Sequence, residues 1–280
     1  MADLSIDFCG IKSPNPFWLA SGPPTNSGAQ VARAFELGWG GVVWKTLGDP
    51  IVNVSSRFGS LDWNGQRMMG FNNIELITDR PLEDNLREIR QIKKDIPDRA
   101  MVVSLMEDRK EDWRDLIRRV EDAGADGLEL NFGCPHGMCE RGMGSAVGQE
   151  PKVLAEITSW AKELASIPVL IKLTPNVSDI LDPALAAVAG GRRPLAHQHH
   201  QEPDGRRSAT VSCRIRCWAK HPPTWRCRPA VKPIALHMVA ALARDARIGI
   251  PLSGIGGIGT WRDAASSSRW ERRPSRSARR

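Results

Sequence analysis

The stretch EDAGADGLEL, residues 121–130, decides how the chain is read. Before it, Trp113, Leu116, Ile117 and Val120 recur at i, i+3, i+4 and i+7, which gives a helix one apolar face. Gly124 then stops the helix, and DGLELNF (126–132) follows as a short apolar run. Helix, glycine stop and buried strand in succession are the joint of a repeating β/α unit. The same joint recurs on either side. PFWLAS (16–21), GGVVWKT (40–46), MVVSLM (101–106) and PVLIKL (168–173) read as further buried strands. Helical patterns run over Gln30–Leu37, Pro81–Lys94, Glu111–Ala123, Pro151–Ala165 and Ile180–Ala189. After residue 228 the alternation resumes, with PAVKPIALHMVAALARDA as a helix, IPLSGIGGI as a strand and turn, and TWRDAA as a helix start.

Repeated strand–helix units imply a parallel sheet, either open and doubly wound or closed as a (β/α)8 TIM barrel. The barrel is favoured because polar residues finish several different strands: Lys45-Thr46, Asn131 and Lys172. Strand C-terminal ends make the active face of a barrel. A lysine in an apolar strand either meets a polar partner or ligand, or snorkels to the rim. The loop NFGCPHGMCERGMG (131–144) is long for a strand–helix connection and contains Cys134, which can serve as nucleophile, proton donor or buried structural thiol. Cys139 is the weaker candidate. GFNNIEL (70–76) supplies Asn73, whose amide suits an amide-containing ring or, alternatively, an Asx turn. The glycines of SGIGGIG (253–259) open a helix where backbone N–H groups can approach a phosphate.

The chain has 280 residues and a formal charge of +7. That charge is unevenly placed. Residues 192–228 hold nine Lys and Arg against two Asp and Glu, residues 266–280 six against one, and the remainder carries a net −5. No apolar run reaches the ~18 residues of a membrane span, and MADLSIDFCG lacks the plan of a secretory signal. Six cysteines at irregular spacing suggest a reducing cytoplasm rather than a disulfide framework. The expectation is one cytoplasmic barrel domain over residues 1–280, with no membrane or nucleic-acid partner.

Over residues 1–190 and 229–265 the chain resembles the dihydroorotate dehydrogenase superfamily, most closely its pyrimidine-reducing branch, the FMN subunits of bacterial NAD-dependent dihydropyrimidine dehydrogenase. The resemblance rests on NPFWLASGPPT, AFELGWGGVVWKT, GFNNIELITDR, GADGLELNFGCPHGMCERGMG, VLIKLTPNVSDI, PAVKPIAL and SGIGGIGTWRDAA. It implies a (β/α)8 barrel with FMN across its C-terminal mouth. Ala20, Ser21, Lys45 and Thr46 would contact FMN, Lys172 would lie at the flavin N1–O2 edge, and Gly256 and Gly257 would hold the phosphate. Asn73 and Asn131 would hydrogen-bond a pyrimidine base, and Cys134 would protonate one ring carbon while flavin delivers hydride to the other. NAD and iron–sulfur clusters would enter only through a domain this chain does not carry or through a flavin/NAD-binding partner subunit, in a homo- or hetero-oligomer. Dihydroorotate oxidation is the alternative activity.

Two segments depart from that pattern. Where the resemblance implies a strand like ADALSLINTIKS, residues 192–207 read RRPLAHQHHQEPDGRR. Shifted by one base, codons for His197–Gln201 permit Ile-Asn-Thr-Ile. The tail SSSRWERRPSRSARR (266–280) back-reads similarly as EFIALGAASVQVCTA. Residues 192–228 and 266–280 are therefore read as frame-shifted. The histidine cluster matches no zinc spacing and is not taken as a metal site. The expected consequence is a barrel lacking one central strand and its last strand, and an inactive frame-shifted gene product is the further alternative to the two enzyme readings.

Overall fold

A computed structural model describes residues 3–48, 58–63, 65–71, 77–134, 142–191, 209–214 and 227–268. Its elements are β1 (Ile6–Phe8), β2 (Ile11–Ser13), β3 (Trp18–Leu19), α1 (Gly28–Glu36), β4 (Gly41–Leu47), β5 (Phe58–Trp63), β6 (Gln66–Phe71) and α2 (Leu82–Asp95). There follow β7 (Ala100–Leu105), α3 (Lys110–Asp122), β8 (Gly127–Asn131), α4 (Ser145–Gln149), α5 (Pro151–Leu164), β9 (Val169–Leu173), α6 (Leu181–Gly191), β10 (Ala209–Arg214), α7 (Cys227–Arg244), β11 (Leu252–Ile255) and α8 (Trp261–Ser268).

Seven parallel strands pair in the order β3-β4-β7-β8-β9-β10-β11, each next to its predecessor in the repeat. The sheet is strongly curled. Neighbouring strands lie about 4.8 Å apart, so a flat sheet would hold β3 and β9 about 19 Å apart. Yet Lys172 Nζ on β9 donates to Ser21 Oγ, two residues past β3, at 3.2 Å. This is the architecture of a (β/α)8 TIM barrel, with seven of its strands among the described residues.

Alternation along the strands sorts the side chains. Val42, Trp44, Met101, Val103, Leu105, Leu128, Leu130, Val169, Ile171 and Leu173 face outward and pack with Leu86, Ile89, Trp113, Leu116, Leu154 and Ile157 of the helices. Val43, Ala100, Val102 and Leu170 face inward and meet Ile11 of the amino-terminal hairpin. That β1–β2 hairpin plugs the bottom of the barrel. Gly127 makes room for it, because a Cβ there would lie 2.6 Å from Ile11 Cδ1.

The strands expected from the sequence at 16–21, 40–46, 101–106, 126–132 and 168–173 are present, and so are all five helices. The β1–β2 and β5–β6 hairpins and α4 were not anticipated. One expectation is corrected. Ala209–Arg214, inside the segment 192–228, forms β10 and pairs in parallel with both β9 and β11. No gap opens between those two strands. ATVSC is small, β-branched and free of proline, and the slot's ladder is made by backbone groups alone. Residues 192–208, 215–226 and 269–280, which include the histidine cluster and most of the second departing segment, lie outside the described residues. No helix among the described residues is long and apolar enough to cross a membrane.

Candidate active site

Above the apolar floor, the inward positions of four consecutive strands turn polar. Lys45 and Thr46 on β4, Ser104 on β7, Glu129 and Asn131 on β8, and Lys172 on β9 are all buried. On β4, two successive residues are polar and buried. The pairing register of β4 with β7 shifts between Trp44 and Leu47, and such an irregularity re-aims side chains that simple alternation would send to opposite faces.

Two hydrogen-bonded groups occupy this level. The first is a charge cluster. Lys172 Nζ donates to Glu129 Oε1 at 2.8 Å and to Ser21 Oγ at 3.2 Å, and Ser21 Oγ donates to Glu129 Oε1 at 3.2 Å. The side chains of Lys172 and Glu129 are 1% and 2% exposed. The second group centres on Asn131. Its Nδ2 donates to Thr46 Oγ1 at 2.8 Å and to Cys134 Sγ at 3.1 Å, while its Oδ1 accepts from the Gly133 amide at 3.2 Å. Thr46 Oγ1 also lies 2.9 Å from Ser104 Oγ. Cys134 is walled by Ile77, Met106 and Met143. The Ser145 amide, opening α4, donates to the Cys134 carbonyl at 3.0 Å and pins the loop's return.

The turn after β11 is held separately. Gly256 and Gly257 have φ of 124° and 70°, and a Cβ on Gly257 would lie 2.5 Å from Lys232 Cα. Only glycine fits there. Asp263 fixes the turn. Its Oδ2 accepts from the Gly259 and Thr260 amides at 3.1 and 2.8 Å, and its Oδ1 from Lys232 Nζ at 2.6 Å. The Lys232 ammonium, then the Thr260 hydroxyl and these amides, hold the Asp263 carboxyl far below the usual carboxylate range.

Of the residues singled out in the sequence, Ser21, Lys45, Thr46, Asn131, Cys134 and Lys172 line or adjoin the polar level of the lumen, with Ala20 half-buried beside Ser21. Gly256 and Gly257 form the turn after β11. Asn73 lies outside the described residues. Sequence reasoning missed Glu129, Ser104 and Thr174, all buried. The available signal was parity: Glu129 falls two residues before Asn131 in β8 and therefore shares its face.

A family model described as dihydroorotate dehydrogenase matches residues 3–269. The chain is 40% identical over 278 residues to the PreA subunit of NAD-dependent dihydropyrimidine dehydrogenase from Escherichia coli (strain K12), covering 94% of this chain and 64% of that protein. It is 40% identical over 277 residues to the chloroplastic dihydropyrimidine dehydrogenase (NADP(+)) of Arabidopsis thaliana, covering 94% and 65%. To the catalytic subunit of dihydroorotate dehydrogenase B (NAD(+)) from Pyrococcus abyssi it is 33% identical over 274 residues, covering 93% and 82%. The chain thus spans just under two thirds of the length of the two dihydropyrimidine dehydrogenases it matches. With the barrel, its polar upper lumen and these matches in hand, the chain belongs to the dihydroorotate dehydrogenase family.

Proposed function

We propose that the chain is an FMN-dependent reductase that converts uracil or thymine to the 5,6-dihydro base. The observation that carries this reading is the Asn131–Cys134 contact, an amide and a thiol 3.1 Å apart at the barrel mouth and on the same polar level as a buried lysine. Reducing the ring double bond requires a hydride at one carbon and a proton at the other. Bound FMN would supply the hydride.

The residues present suit such a cofactor. Lys172 offers a cation; Ser21, Thr46, Lys45 and the Ala20 backbone offer hydrogen-bonding groups; the Gly256–Gly257 turn lets backbone approach a phosphate. The Asp263 carboxylate already holds the amides of Gly259 and Thr260, so a phosphate would be met by the preceding glycines. Asn131 commits both N–H groups to Thr46 and Cys134. What it offers a pyrimidine is its Oδ1, an acceptor for a ring N–H. Asn73 would take a second polar edge of the ring. Cys134 would give its proton to a ring carbon, its Sγ oriented by Asn131 and shielded by Met106 and Met143.

Reducing equivalents would come from a flavin/NAD-binding partner subunit; the bacterial relative is itself one subunit of an NAD-dependent enzyme. The barrel is taken as a single domain, in which residues 192–228 and 266–280 are read out of frame. Resequencing the coding DNA across both segments tests that last point. Restored INTIKS-like and SVQVCTA-like strands support it.

The function is tested with the full chain loaded with FMN, photoreduced without oxygen and mixed with uracil. Flavin reoxidation coupled to dihydrouracil formation is expected, with Cys134→Ser slower by at least about 100-fold. Reoxidation by orotate but not uracil moves the assignment to dihydroorotate chemistry. A soluble chain that takes up no FMN supports an inactive product.

A further inference from the structure

Glu129 has no role in the chemistry above, yet it is among the most deeply buried charged groups described, 1% exposed. Two buried charges are a poor device for stability, because desolvation offsets their attraction and an apolar pair of similar volume often serves as well. The same two strands show the apolar solution: one inward level lower, β8 and β9 carry Gly127 and Leu170. The fold has no need of charge at this height. Nor is the pair local, since Ser21 reaches it from the opposite side of the lumen, 108 residues from Glu129 and 151 from Lys172.

We propose that Glu129 is a positioning residue that keeps the Lys172 ammonium protonated and aimed at the lumen where the flavin ring would lie. The proposal rests on the FMN reading. The other charged or titratable groups at this level, among the described residues, are Lys45 on β4 and Cys134 after β8, whereas β7 contributes the neutral Ser104. Neither can replace the carboxylate. Lys45 is a like charge, and the Cys134 thiol is engaged by Asn131. Without Glu129, burial favours the neutral amine.

The test uses the full chain with ¹³Cε-labelled lysine, the Lys172 signal being assigned by its loss in Lys172→Met. The wild-type signal is expected to stay that of an ammonium from about pH 6 to 9, whereas in Glu129→Gln it titrates within that window. FMN affinity follows. It is flat with pH in the wild type, falls by about tenfold or more over the same span in Glu129→Gln, and is indifferent to Glu129→Gln in a Lys172→Met background. Two results overturn the proposal: an ammonium that titrates no differently in Glu129→Gln, or an affinity loss equal at every pH and undiminished in the Lys172→Met background. A wild-type chain that binds no FMN defeats the functional reading, while the lysine titration still decides whether Glu129 governs Lys172. If Glu129→Gln does not fold, Glu129→Asp takes its place. There the ammonium is expected to keep its proton while FMN affinity drops, and unchanged affinity overturns the proposal.

Discussion

The floor and the mouth of the lumen are built from the same four strands and obey opposite rules. At the floor, Val43, Ala100, Val102 and Leu170 close on Ile11, and no polar side chain is needed. Two residues further along each strand stand Lys45, Ser104 and Lys172, with Glu129 and Asn131 on β8. Hydrophobic burial explains the floor completely, at roughly 25 cal/mol per Å² removed from water. It explains nothing at the mouth, where an ion pair and an amide–hydroxyl–thiol network are enclosed at a cost in desolvation. The barrel thus separates what holds it together from what it is equipped to do, within about two strand residues, roughly 7 Å.

The largest way to break that comparison is to leave one charge of the mouth unpaired. Glu129→Leu should cost about 3–5 kcal/mol of unfolding free energy by denaturant titration, and adding Lys172→Met should recover most of it. A double variant as unstable as the single would mean that the mouth, too, is built for stability. A smaller loss is expected at the floor. Ile11→Ala should cost about 2–4 kcal/mol and shift the thermal midpoint, while leaving flavin affinity unchanged within about twofold. Asn131→Ala should do the reverse, costing only about 1–2 kcal/mol but slowing uracil reduction by tenfold or more in the photoreduction assay. The smallest effect concerns the Asp263 strut. Its carboxyl is held below the ordinary range when folded, so its contribution is complete above about pH 4 to 5 and is lost as pH falls further. Thermal midpoints of the chain and of Asp263→Asn should therefore converge as pH falls below about 4.

The strand order and the helix spans could be read from the chain because burial on both faces writes itself as short apolar runs between amphipathic ones, as around Gly124. The floor's plug could not, since IDF and IKS are three-residue strands whose apolar content is slight and whose partner is each other. Glu129 was hidden by its neighbours: in GLEL a single acid between two leucines reads as ordinary alternation. Its meaning appears only when β9 sets Lys172 beside it. β10 was missed for a different reason. Arg, His and Pro around it predict a broken ladder, but the slot between β9 and β11 asks only for six residues without proline.

The central claim is that the polar mouth, not the apolar floor, is a flavin site. It is tested most directly by equilibrium FMN titration of the purified chain, followed by flavin fluorescence, beside Lys172→Met and Ile11→Ala. One FMN per chain is predicted, with affinity at least about tenfold weaker in Lys172→Met and unchanged in folded Ile11→Ala. Equal affinity in wild type and Lys172→Met, or no binding at all by the folded wild-type chain, would contradict it.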